Sequence, residues 1–174
     1  MNEWFMDEAR KGNVYHAHNT THGDVTVIHA TNTGLVLENP MGSGKDLVIA
    51  QATFVGTTLG NIGEFGLVTG PERSAGGSAS LTAATVHNAR LGGAGRTTGV
   101  AFCSSVATLP ATPIWIRPMG SSRQTGAVSG ASYFVADFDG TLIVAPGTFI
   151  AFATLTTKKA GLGSFTWAEV DILS

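Results

Sequence analysis

Residues 130–174 read GASYFVADFDGTLIVAPGTFIAFATLTTKKAGLGSFTWAEVDILS, and their pattern decides the fold class. Four apolar runs, at 132–136, 141–145, 148–155 and 164–172, are rich in the Val, Ile, Phe and Thr that strands favour. Asp139-Gly140, Pro146-Gly147 and the longer 156–163 separate them with turn residues. The spacing predicts an antiparallel meander. Within 148–155, Phe149, Ala151, Ala153 and Leu155 fall on one face, and Ile150, Phe152 and Thr154 on the other. A strand apolar on both faces needs cover on both, inside a sandwich or against a neighbouring subunit.

The same stretch holds an enzyme-like phrase. FVADFDGTL resembles the first motif of the haloacid dehalogenase phosphatases, which would make Asp137 the nucleophile and Asp139 the general acid beside Mg²⁺. That family follows the motif with a doubly wound α/β domain, a Ser/Thr, a Lys and a further acidic pair. Here 33 residues remain after Thr141, with no βα alternation. An Asp-Gly hairpin turn, which supplies positive φ values, is the reading adopted. A second such phrase, Gly42-Ser43-Gly44-Lys45, resembles the end of a phosphate-binding P-loop. Asn39 stands where the first Gly is needed and Asp46 where the Ser/Thr is needed, and a long apolar run follows instead of a helix start. No catalytic or cofactor-binding residue is assigned.

Working outward, 174 residues suffice for one domain with a proper core. Charged residues are 13%, about half the usual share, against 43% hydrophobic residues and 23 Gly. That balance suits an all-β protein with many turns and a surface partly covered by other protein. The single Cys103 excludes an internal disulfide and a cysteine-based zinc site. No apolar run is long enough to span a bilayer as a helix, and the first residues are charged, so a soluble chain made in a cytoplasm is expected. A net charge of −2 argues against a general nucleic-acid binder. Between Arg73 and Ala136 lie five arginines (Arg73, Arg90, Arg96, Arg117 and Arg123) and no acid, either solvated loop arginines or a positive face for an acidic neighbour.

Residues 2–11, NEWFMDEARK, form the one helix-like segment, with acids before bases along the dipole. Ten residues do not hold a helix alone in water, so Trp4, Phe5 and Met6 are expected on an arm that docks onto something. Residues 12–23 read as a polar connection. His16 and His18 share a strand face, with His22 and His29 nearby, but no acid or Cys completes a metal set, and no metal site is assigned. Strands are expected at 24–30, 35–38, 47–55, 62–69, 100–109 and 112–117, with 81–99 as a surface excursion. Roughly ten strands with closely spaced turns suggest a sandwich or barrel. The expected fold is all-β, a jelly-roll-like antiparallel β-sandwich with a short N-terminal arm. Residues 1–22 are assigned to the arm and connection, and residues 23–174 to the sandwich.

TGLVLENPMGSGKDLVI (residues 33–49) resembles a stretch found in structural proteins of tailed bacteriophages. IVAPGTFIAFAT (143–154) followed by FTWAEVDI (165–172) resembles their C-terminal hairpin, which ends in an aromatic-Trp-x-Glu-Val pattern. The resemblance implies a virion auxiliary protein of the jelly-roll head decoration (cement) type, a homotrimer bound to the major capsid protein at the capsid surface. It implies no enzyme activity, cofactor, metal, nucleic acid, membrane or small-molecule substrate. On that reading Trp4, Phe5, Met6, Arg73, Arg90 and Arg96 meet the shell, and Phe149, Phe152, Phe165 and Trp167 lie between copies. The alternative is a receptor- or carbohydrate-binding tail module using Trp115 or Trp167 as a sugar platform, and exposure of the indole discriminates the two.

Overall fold

The computed structural model describes residues 3–21, 23–56, 63–70, 79–91, 99–122 and 133–172. The elements run α1 (Glu3–Lys11), β1 (Val14–His18), β2 (Gly23–Val25), β3 (Thr31–Asn39), β4 (Lys45–Gly56), β5 (Gly63–Thr69) and β6 (Ala79–Ala83). They continue with β7 (Val86–Asn88), β8 (Phe102–Thr108), β9 (Ile114–Ser122), β10 (Tyr133–Val144), β11 (Thr148–Thr154) and β12 (Lys159–Asp171). Two sheets of six strands pack face to face. The first runs β10-β4-β12-β1-β7, with β2 also on β12; the second runs β6-β8-β3-β11-β5-β9.

The pairings share one logic. β2 pairs with β12, β3 with β11, β4 with β10, β5 with β9 and β6 with β8, all antiparallel. The two halves of the chain therefore run beside each other as one long ribbon, which passes between the sheets as it rolls up. That winding is a jelly roll, as expected. β7 lies at the far end of the ribbon and closes onto β1. The last third is consequently not a meander, because β10 and β12 lie in the first sheet and β11 in the second.

Asp139-Gly140 is also not a hairpin. Both flanking segments pair with the same strand, Tyr133–Asp137 against Val55–Gln51 and Leu142–Val144 against Ile49–Leu47. The positive φ of Asp139 (46°) and Gly140 (86°) forms a bulge within one strand. The expected connection at 12–23 contains β1, held between β12 and β7, and the expected excursion at 81–99 contains part of β6 and all of β7.

The main core between the sheets is aromatic. Phe152 stacks on Phe165 at 4.6 Å, Phe54 lies 4.2 Å from Phe65, and Tyr15 stacks on Trp167. A Cβ at Gly163 would come 2.5 Å from the Phe152 ring, so β12 carries Gly where the ring needs the space. The far side of β11 is also covered, by the chain itself. Phe149, Ala151 and Ala153 pack with Val36, Val68, Ala107 and Leu109, and Ile28 and Trp115 lie over them. Residues 26–30, expected as strand, cross there, with Ile28 N–H donating to the Thr154 carbonyl and Thr154 N–H to that of Thr26.

Helix α1 is no free arm. Phe5 is buried against Val14, Val48 and Ala168 on the outer face of the first sheet. Gly12, at φ 81°, ends the helix, with its N–H on the Ala9 carbonyl. The helix and β1 thus belong to the sandwich, and the boundary expected at residue 22 has no counterpart in the packing.

Candidate functional site

The enzyme-like phrases resolve into structural parts. Asn39 Nδ2 donates to the carbonyls of Lys45 (2.7 Å) and Val144 (2.8 Å), closing the 39–45 turn onto β10. Gly42 and Gly44 take the positive φ values the turn needs, and Lys45 Nζ pairs with Asp171 at 2.6 Å. The Asp137 carboxylate accepts from Gln51 Nε2 at 2.7 Å on an exposed sheet face. Cys103 is buried, its thiol pushed up to about 12 by desolvation, so it stays protonated. Among the described residues no group of three His, Cys, Asp or Glu side chains can hold a metal ion.

The closing Trp-x-Glu pattern has a definite role. The buried Glu169 carboxylate accepts from the backbone N–H of Val100 (2.9 Å) and Ala101 (3.1 Å) and from Trp167 Nε1 (3.3 Å). It fastens the entry to β8 onto β12. Sequence analysis did not single out this acceptor, because its two backbone donors lie 68 and 69 residues away.

The residues expected to meet partners divide. Trp4 and Met6 are exposed, while Phe5 is buried under the helix. Arg90 is exposed, its guanidinium donating to the Arg10 carbonyl at 3.1 Å. Arg117 lies over the Phe138 ring at 4.7 Å. Arg73, Arg96 and Arg123 lie outside the described residues. Phe149, Phe152, Phe165 and Trp167 are at most 3% exposed within one chain, so the expected contact between copies through them is corrected. The covered strand that suggested it takes its second cover from residues 26–30 and 109–115. Trp167 is likewise no sugar platform, and Trp115 lies on Gly66, where a Cβ would sit 2.6 Å from its ring.

Three surfaces stand out instead. On the outer face of the first sheet, the register aligns His87, His16, Thr166, Gln51 and Asp137 in one row across five strands. His16 and His87 stack at 5.5 Å and His18 and His87 at 6.0 Å. Burial, then the nearby charges of His87 and His18, lower the pKa of His16. His87 was missed because no periodicity marks so short a strand. His29 lies elsewhere, its Nδ1 accepting from the Thr31 N–H, and His22 is outside the described residues.

Further along the same face, Tyr133, Val55 and Leu162 form an apolar row with Val135 beside it. Tyr133 is 65% exposed and the other three between 36% and 39%. At the opposite edge of the sandwich, a groove of about 590 Å³ opens between residues 19–26 and the β6–β8 edge. Thr21, Asp24, Thr33, Thr82, Ser105 and Lys158 are among its lining residues. Comparison of the chain with protein-family models, curated proteins and solved structures found no match.

Proposed function

We propose that this protein is a structural virion protein, a decoration or cement subunit that binds the head of a tailed bacteriophage as a homotrimer and stabilises it. It works by adhesion, without catalysis or a cofactor, on the major capsid protein at the capsid surface, after synthesis in the host cytoplasm. The observation that carries this reading is the apolar row Tyr133–Val55–Leu162 with Val135, left open on a sheet face of a low-charge jelly roll. A cyclic trimer needs two different patches, one on each side of every contact. Ile114 and Ile116, 48% and 38% exposed on β9, offer the second. Trp4 and Met6, exposed on α1, remain available to the shell. Resemblance of residues 33–49 and of the closing strands to phage structural proteins supports the virion assignment.

Sedimentation of the purified chain tests the oligomer, and co-pelleting with undecorated heads tests the partner. We expect a trimer that pellets with heads, and a folded Tyr133→Asp variant that sediments as a monomer. A wild-type monomer at every concentration, or no binding to heads, refutes the corresponding half of the proposal.

A further inference from the structure

The groove between residues 19–26 and the β6–β8 edge carries chemistry that adhesion through the apolar row does not use. Its volume of about 590 Å³ falls in the range of small-molecule sites, roughly 300–1,000 Å³. Among the described lining residues the charged side chains are Asp24 and Lys158, paired at 2.9 Å, so their charges cancel. A free anion or cation finds no unbalanced partner among these described residues. The remaining polar side chains are mostly hydroxyls, which donate and accept alike. The hydroxyls of Thr21 and Thr82 make no hydrogen bond among the described residues. Threonine methyls, Gly34 and Val106 supply short apolar stretches between these polar points.

We propose that this groove binds a neutral saccharide. Alternating hydroxyl and C–H surfaces on a sugar match alternating hydroxyl and methyl surfaces on the wall. Asp24 accepts from sugar hydroxyls, Lys158 donates to a sugar oxygen, and Thr21 and Thr82 complete the contacts. The wall is pre-formed, which lowers the ordering cost of binding. Asn19 Oδ1 accepts from the Gly163 N–H at 2.6 Å, and its Nδ2 donates to the carbonyls of Gly161 and Thr21. Binding without cleavage is expected, because glycoside hydrolysis uses two carboxyl groups and Asp24 is the one carboxylate among the described lining residues. The inference does not depend on the decoration reading.

The test is an amide-resolved NMR titration of the full chain with D-glucose, D-galactose, N-acetyl-D-glucosamine and, as an anionic probe, D-glucuronate. Titration to about 50 mM is needed, because a single sugar held by a few hydrogen bonds binds in the millimolar range. At least one neutral sugar should shift the amides of Thr21, Asp24, Thr82 and Ser105 together. Thr82→Val and Asp24→Asn, both at exposed positions, should each weaken that binding by about fivefold or more while spectra elsewhere stay unchanged. The proposal is overturned if no neutral sugar shifts these amides, if the shifts fall elsewhere, or if D-glucuronate binds more tightly than every neutral sugar. It is also overturned if both variants bind as the wild type does.

Discussion

Replacing Glu169 by Ala removes the common acceptor of three N–H donors, on Val100, Ala101 and the Trp167 indole. Glu169 is 6% exposed and Ala101 likewise 6%, so water replaces the carboxylate poorly. Leaving a buried donor unmet costs about 1–3 kcal/mol. The longest of the three bonds, from the indole, contributes least, and the variant recovers the cost of burying a charged group. The balance is a loss of about 3 kcal/mol, or roughly 6–12 °C in Tm for a domain of this size. Glu169→Gln keeps one acceptor oxygen but turns an amide NH₂ toward a donor, and should fall between Ala and wild type. Urea denaturation followed by tryptophan fluorescence reads the effect directly, since Trp167 is itself a donor. A loss below about 1 kcal/mol, the size of an ordinary surface hydrogen bond, would refute the claim that this carboxylate fastens residues 99–101 to β12.

Gly163→Ala should cost about 2 kcal/mol or more in urea denaturation, because the new methyl meets Phe152 in a core without room; a neutral change would mean the ring can move aside. Phe5→Ala should destabilise the isolated chain by about 3 kcal/mol, since Phe5 is 4% exposed against Val14, Val48 and Ala168; unchanged stability would restore α1 as a free arm. The pKa of His16 is lowered on folding, so the unfolded chain binds its proton more readily. The stability it contributes is present above the unfolded pKa, near 6.5, and is lost as pH falls from there through the lower pKa of the folded state. The urea midpoint should therefore drop between about pH 7 and about pH 5, and His16→Gln should flatten the drop; an unchanged slope would show that the imidazole cluster does not resist protonation.

The fold class was legible because it rests on local chemistry. Short apolar runs at 47–55 and 148–155, rich in β-branched and aromatic residues and bounded by turn residues, mark strands wherever they finally pair. Pairing itself is long-range, and there the sequence misleads. Asp139-Gly140 has the residues of a hairpin turn, but positive φ is equally what a bulge requires, and only the partner strand decides. Because β4 runs unbroken past both flanks, the chain continues forward and the two expected strands become one. β1 and β7 were illegible for another reason. VYHAH and VHN carry His16, His18 and His87 outward and Tyr15, Ala17 and Val86 inward, too short a record for periodicity to register.

The two-faced strand β11 shows how a sound premise led to the wrong neighbour. Its outer face does need cover, and Phe149, Ala151 and Ala153 are buried accordingly. A second copy is one source of cover, but the chain has a nearer one in residues 26–30, anchored by backbone hydrogen bonds to Thr154. Covering a sheet with a tethered segment avoids the translational and rotational entropy that a second subunit must lose. The contact between copies proposed above must therefore use surface that none of the described segments covers, and the row at Tyr133 meets that condition. It lies on the edge strand β10, where the outer residues Tyr133 and Val135 give way to Asp137 and then the bulge. Bulges and charges block open-ended edge pairing while leaving a bounded patch free for one specific contact. The closed trimer proposed above would use that combination.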